Sequence, residues 1–141
     1  MKTCCSAAIC IAILGLAQFR SWAQAGASTK AAVYSAVQAA RGEAIYNKRC
    51  VSCHGEQLDG QAQIPGLAGD QFEQMWLGKT LDEMFDRIQN GMPSDKPGTL
   101  TREQTAAVVA YILKANKLPA GSSDLPSDTE KLKSIKIEPA N

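Results

Sequence analysis

The sequence predicts an all-α fold of about four helices, and two observations carry that reading. Three times a polar residue is followed, three positions later, by Glu or Gln just ahead of an apolar stripe: Asp70 with Glu73, Thr80 with Glu83, and Thr101 with Gln104. At that spacing a side chain and the free N–H groups of a helix start can satisfy one another. Behind each start the apolar residues recur at three- and four-residue intervals, the period of one helix face. No stretch alternates with period two and no segment repeats.

Taken in chain order, residues 1–25 read as an export signal. Lys2 opens the chain with a positive charge, residues 4–17 (CCSAAICIAILGLA) are an apolar run of 14, and Ala23-Gln24-Ala25 offers small residues at cleavage spacing. The run is shorter than the roughly 18 residues of a membrane-spanning helix. An uncleaved leader kept as an anchor is the alternative, and membrane association is expected only in that case. Ile9 before Cys10 argues against a lipoprotein site. Cleavage near Gly26 takes the 15 basic residues to 13 against 14 acidic ones, and of the five cysteines leaves Cys50 and Cys53. So balanced a charge excludes nucleic acid as a partner, because a basic face is needed to replace the counterions around phosphate.

Residues 26–35 (GASTKAAVYS) carry no stripe and read as a flexible arm; the folded domain is expected over residues 36–118. Its first helix runs from about Ala36 to Arg49, with Ala39, Gly42, Ile45 and Tyr46 on one face. Gly42 costs that helix about 1 kcal/mol relative to alanine, tolerable where another backbone approaches closely. The second helix sets Phe72, Met75 and Trp76 on its apolar side and stops at Gly78. The third sets Leu81, Met84, Phe85 and Ile88 there and stops at Asn90-Gly91. The last, AAVVAYILKAN, is apolar around most of its girth and closes at Asn116 and Pro119, so it should be central. Residues 55–69 and 91–100 are irregular. Residues 119–141 turn to Pro, Ser, Asp and Lys and read as a flexible tail, whose Lys131, Lys133 and Lys136 either dock a partner or stay solvated. An ordered core of about 80 residues is marginal by its surface-to-volume ratio, and a large apolar cofactor at its centre would help.

The stretch RCVSCHGEQLDG, residues 49–60, holds the chemistry. A structural zinc site wants four thiolate or imidazole ligands, and the leaderless chain offers Cys50, Cys53 and the single histidine, His54. A redox dithiol wants a βαβ neighbourhood, and none is visible. Covalent haem attachment fits: two thiols one helical turn apart can each add to one vinyl group, and the next residue swings an imidazole under the iron. A second histidine ligand is impossible, which leaves a methionine or an open position. Met75 and Met84 lie on apolar stripes and read as core. Met92 lies in a polar loop between Asn90-Gly91 and Pro93, with no packing reason to be there, and reads as the second iron ligand.

Together, Gly42, Tyr46, Cys50-Val51-Ser52-Cys53-His54-Gly55, Pro65-x-Leu67-x-Gly69, Asn90-Gly91-Met92-Pro93 and Ala110-Tyr111-Ile112 resemble a class I monohaem cytochrome c, over about residues 39–116. The resemblance implies helices wrapped around one covalent haem c, with the first and last helices crossing where Gly42 and Tyr46 meet the face bearing Tyr111. It implies that the Pro65 carbonyl accepts from the ring N–H of His54, and that Trp76 bonds a haem propionate or else serves as a core aromatic. The stretch from Trp76 to Thr101 is similar to small periplasmic cytochromes that accompany bacterial dehydrogenases, including quinoprotein alcohol dehydrogenases. Such a dehydrogenase as donor, and a terminal oxidase or other acceptor, are the partners the resemblance suggests.

With His54 and Met92 on opposite sides, iron has no vacancy for substrate. The expected function is therefore non-enzymatic: one-electron transfer in a bacterial periplasmic respiratory chain. A haem-bearing subunit of a dehydrogenase or oxidase complex is the alternative. A gas- or peroxide-binding haemoprotein would need Met92 to be labile and has no second histidine for acid–base work.

Overall fold

The computed structural model describes residues 27–140; the leader expected at residues 1–25 lies outside them. Six α-helices occur among the described residues: α1 Ala36–Arg49, α2 Val51–His54, α3 Asp70–Trp76, α4 Leu81–Gly91, α5 Arg102–Ala115 and α6 Thr129–Leu132. None is long and apolar enough to cross a membrane. A 3-10 turn, Thr29–Ala31, precedes them.

α1 and α5 make the most extensive helix pair, and small residues decide how close they come. A Cβ on Gly42 would fall 1.9 Å from the Ala107 carbonyl oxygen, so only glycine lets the backbones touch. One turn on, the rings of Tyr46 and Tyr111 tilt together at 5.2 Å between centroids, a separation typical of favourable aromatic pairs. α1 and α5, the first and last helices of the expected domain, therefore cross where the resemblance placed the crossing. α5 is buried along most of its length, through Ala106, Val108, Val109, Ile112 and Leu113, and α4 packs on its side.

The starts of these helices follow local chemistry. The Ser35 hydroxyl accepts from Gln38 N at 3.0 Å and caps α1. At α5, Thr101 and Gln104 exchange hydrogen bonds, each backbone N–H donating to the other's side chain (2.8 and 3.2 Å). At α4, Thr80 N donates to Glu83 Oε1 at 3.2 Å. The box expected at Asp70 does not form. Gly69, at φ 67°, is the cap residue of α3, and Glu73 N donates to its carbonyl. The left-handed turn moves the cap one residue upstream, and Asp70 becomes the first helical residue, its carboxylate in the first turn where the helix dipole favours it.

The described parts of the arm and of the tail depart from expectation. The arm of residues 26–35 is not flexible where it is described: Thr29 and Tyr34 are buried, Gly121 N donates to Tyr34 O at 2.6 Å, and the Tyr34 hydroxyl donates to Leu118 O at 2.7 Å. The tail of residues 119–141 is not flexible either, through residue 140. Leu125, Leu132, Ile135 and Ile137 are buried, and α6 packs on α4. Residues 135–137 run between the arm and the α3–α4 connection. Thr29 N donates to Lys136 O and Lys136 N to Ala27 O (both 2.9 Å), while Gly78 N donates to Ile137 O and Leu81 N to Ile135 O (both 2.9 Å). The apolar core reaches well beyond the domain bounded at residue 118, because four large side chains in the tail have partners that exist only in three dimensions.

Candidate functional site

The site begins where α1 ends. Cys50 N still donates to Tyr46 O (2.8 Å), while the Cys50 carbonyl accepts from Cys53 N (3.1 Å) and His54 N (3.0 Å). Cys50 is therefore at once the last cap of α1 and the first of α2, the single turn that the spacing of the two thiols led one to expect. Residues three apart on one turn share a face, which sets Cys50 and Cys53 side by side with His54 following. Neither thiol is bridged; Cys50 is half-buried and Cys53 exposed. Burial pushes the Cys50 thiol up to about 11, with Arg49 opposing and Cys53 adding to the rise.

Gly55 ends the turn at φ 77°, where a Cβ would sit 2.3 Å from Asp59 Oδ1. The Tyr46 hydroxyl donates to the Gly55 carbonyl at 2.6 Å. Burial, and next the neighbouring Cys50, hold that phenol well above its ordinary range, so it stays a donor. The loop of residues 55–69 then folds back on itself. Leu67 N and Ala68 N both donate to Leu58 O (2.7 and 3.2 Å), and Gly60 N donates to His54 O (2.9 Å). This return brings the Pro65 carbonyl to 3.0 Å from His54 Nδ1. A carbonyl only accepts, so the contact assigns the proton to Nδ1 and leaves Nε2 as the nitrogen with a free lone pair.

From the other side comes α4. It ends at Gly91, within the expected Asn90-Gly91 stop, and Met92 is its C-cap, in extended conformation (φ −126°, ψ 150°) and followed by a cis peptide to Pro93. The side chain leaves the helix there, partly buried against the core.

Cys50, Cys53, His54, Pro65, Trp76 and Met92 all line one cleft of about 580 Å³, walled by apolar groups such as Leu67, Ile88, Val108 and Ile112. Met75 and Met84 reach it too. Met84 is buried, as a core residue should be, but Met75 is 36% exposed, because Phe72 and Trp76 take the buried side of the two-turn α3. Trp76 is buried in the wall, with the Lys79 ammonium 5.1 Å from its ring centroid. Sequence reasoning missed the Tyr46 hydrogen bond, although Tyr46 stands four residues before Cys50 and so one turn below it. It also missed the polar rim, where Lys48, Arg49 and Arg87 join Asp95 around the cleft.

The donor set fits a haem attached through sulfur. Two thiols share a turn, the adjacent imidazole keeps Nε2 free, a thioether comes from a separate element, and the cleft lies within the roughly 300–1,000 Å³ usual for cofactor sites.

Comparison with known proteins agrees with that chemistry. The family described as "Cytochrome C oxidase, cbb3-type, subunit III" matches residues 37–112. The chain is 30% identical over 90 residues to cytochrome c-554(547) of Halothiobacillus neapolitanus, covering 62% of this chain and 85% of that one. It is 32% identical over 94 residues to the cbb3-type oxidase subunit CcoP of Azospirillum brasilense, covering 55% of this chain and 31% of that subunit. It thus spans about a third of the length of that relative. Among solved structures, a chain of the sulfane dehydrogenase SoxCD of Paracoccus pantotrophus superposes with a TM-score of 0.50 at 25% identity, covering 70% of this chain and 52% of the other.

Proposed function

Because the chain belongs to the cytochrome c family, whose members carry covalently attached haem c, we propose that Cys50 and Cys53 hold that haem through thioethers and that His54 and Met92 are its axial ligands. The chain is an electron-transfer protein. Bound haem supplies a one-electron couple between ferric and ferrous iron. Every other part of the task falls to the chain. The Pro65 carbonyl holds the imidazole by Nδ1 and makes it a better donor. Met92 offers a soft neutral sulfur that favours ferrous iron and raises the potential. The apolar walls act in the same direction, since they solvate the extra ferric charge poorly. With both positions filled, the chain leaves no place for substrate at iron. To Trp76, in the wall, falls the bond from its indole to a propionate that the resemblance implies.

The observation that carries this reading is the His54–Pro65 contact, which commits one ring nitrogen beside two unbridged thiols and frees the other. A visible spectrum of the protein, expressed with a cytochrome maturation system, tests it. Low-spin iron that turns high-spin in Met92→Ala, with a lowered potential, supports the ligand pair. An unchanged Met92→Ala spectrum transfers the role to Met75 or Met84, and a colourless product overturns the haem assignment.

The chain works in the periplasm after export, as a carrier between a dehydrogenase, quinoprotein or other, and a terminal oxidase or other acceptor. A second reading, a fixed subunit of such a complex, is favoured by the likeness to CcoP and to a chain of SoxCD, proteins whose names are those of an oxidase subunit and a dehydrogenase. Native-level co-purification separates the two: a fixed subunit elutes with its enzyme, and a carrier elutes alone.

A further inference from the structure

We infer that Asn116 is a positioning residue for the His54 imidazole, acting through the backbone that carries the Pro65 carbonyl. The inference rests on His54 being the iron ligand. Nothing regular holds Pro65, which lies in the irregular loop of residues 55–69, yet its carbonyl must stay within hydrogen-bond reach of Nδ1. Asn116, the C-cap of α5, reaches across to that loop with both ends of its amide. Its Nδ2 donates to Leu67 O at 2.9 Å, and its Oδ1 accepts from Gly69 N at 3.0 Å. The same Nδ2 also donates to Ile112 O at 2.8 Å, tying the amide to its own helix.

The grip acts on a peptide already confined elsewhere. Gly60 backs directly on it, and a Cβ there would fall 2.3 Å from Ile64 O and 2.8 Å from the Pro65 carbonyl carbon. The Gln71 side chain accepts from Gly66 N. Asn116 is the member of this set that belongs to α5, the central helix packed against α1. It therefore references the His54 partner to the same rigid pair that delivers Cys50. Freed of it, the loop keeps its internal bonds, the bonds near its start to Tyr46 and His54, and its tie to α3, none of which holds Leu67 or Gly69 to α5, and the Pro65 carbonyl can drift from Nδ1. A weaker bond there makes the imidazole a poorer donor to ferric iron, and the potential rises.

Asn116→Ala and Asn116→Ser, both neutral, test this in the holoprotein, with Tyr34→Phe as control. The control removes the hydroxyl that bonds Leu118 O, two residues beyond Asn116, and leaves the loop alone. The expected result is an upward shift in potential and a roughly five- to tenfold faster solvent exchange of the His54 Nδ1 proton by NMR in the reduced protein, the scale set by one lost hydrogen bond. Tyr34→Phe is expected to lower the melting temperature and change neither. Should the alanine variant fail to assemble, the serine variant, too short to bridge Leu67 and Gly69 but still polar, supplies the reading. Asn116 variants that melt earlier with unchanged potential and exchange overturn the inference and leave Asn116 a helix cap only. Failure of the ligand assignment itself is recognised separately, by a wild-type spectrum that is not low-spin.

Discussion

The loop of residues 55–69 and the tail of residues 119–140 are both largely irregular chain fixed by hydrogen bonds, yet the bonds serve different ends. In the loop they are mainly short in sequence, Leu58 to Leu67 and Ala68 and His54 to Gly60, and they converge on one carbonyl beside one imidazole. In the tail they span most of the chain. The buried Gln38 amide donates to Leu125 O at 2.9 Å and accepts from Leu125 N at 2.7 Å, and residues 135–137 join the arm to the α3–α4 connection. The loop uses irregular backbone to fix the angle of an imidazole. The tail uses it to close the core. Damage to the first should change the iron, and damage to the second should change the melting temperature.

The largest expected effect is on the loop side. Replacing both Cys50 and Cys53 by serine abolishes covalent attachment, and haem that still resists acid-acetone extraction would break the account at its root. Next is the tail. Leu132→Ala opens a cavity under α6 and should cost about 2–5 kcal/mol in denaturant unfolding, with an unchanged visible spectrum. A shifted spectrum would mean that tail and cleft are not separate in function. Tyr46→Phe probes where the loop meets the helix crossing, since Tyr46 packs on α5 and also donates to Gly55. Loss of one hydrogen bond should cost about 1 kcal/mol, and a potential that moves with it would assign Tyr46 to the cleft rather than to the helix crossing.

The smallest effect is on pH dependence. The Ser35 hydroxyl, and then Arg41, hold the Asp124 carboxyl below its ordinary value, and Arg41 also pairs with it at 2.5 Å. A carboxyl depressed in the folded state contributes stability that is present above its unfolded value of about 3.9 and is lost as pH falls through the lower folded value. Acid unfolding of the wild type should therefore steepen below about pH 4, and Asp124→Asn should remove that part of the slope. Both side chains are about half exposed, so the effect is modest.

How much of this was legible in the sequence follows from the range of the forces involved. α1, α4 and α5 were legible because their apolar period is local, and Thr80 and Thr101 lie where a helix start needs an oxygen; the Ser35 cap of α1 went unread, since Ser35 closes a stretch without a stripe. The cleft residues were legible because the attachment chemistry expected of them fixes spacing: Cys50, Cys53 and His54 were expected to share one turn, and Met92, lying outside every apolar stripe of the sequence, asked for a reason. The tail was not. Leu125, Leu132, Ile135 and Ile137 are separated by polar residues and show no period, and their burial depends on partners as distant as Thr29 and Leu81. Asp70 misled because the cap is set by the positive φ of Gly69, a backbone choice that carries no side-chain signal. Met75 misled because a seven-residue helix has room for only two buried side chains, and a stripe does not say which two.

Lys136 N bonds Ala27 O, so the first and last described segments lie side by side although more than a hundred residues separate them. Anything fused before Ala27 and anything fused after Lys136 would leave the domain from one corner. A tether on one side and a second domain on the other would share a single pivot, and neither would pull the domain's own helices apart.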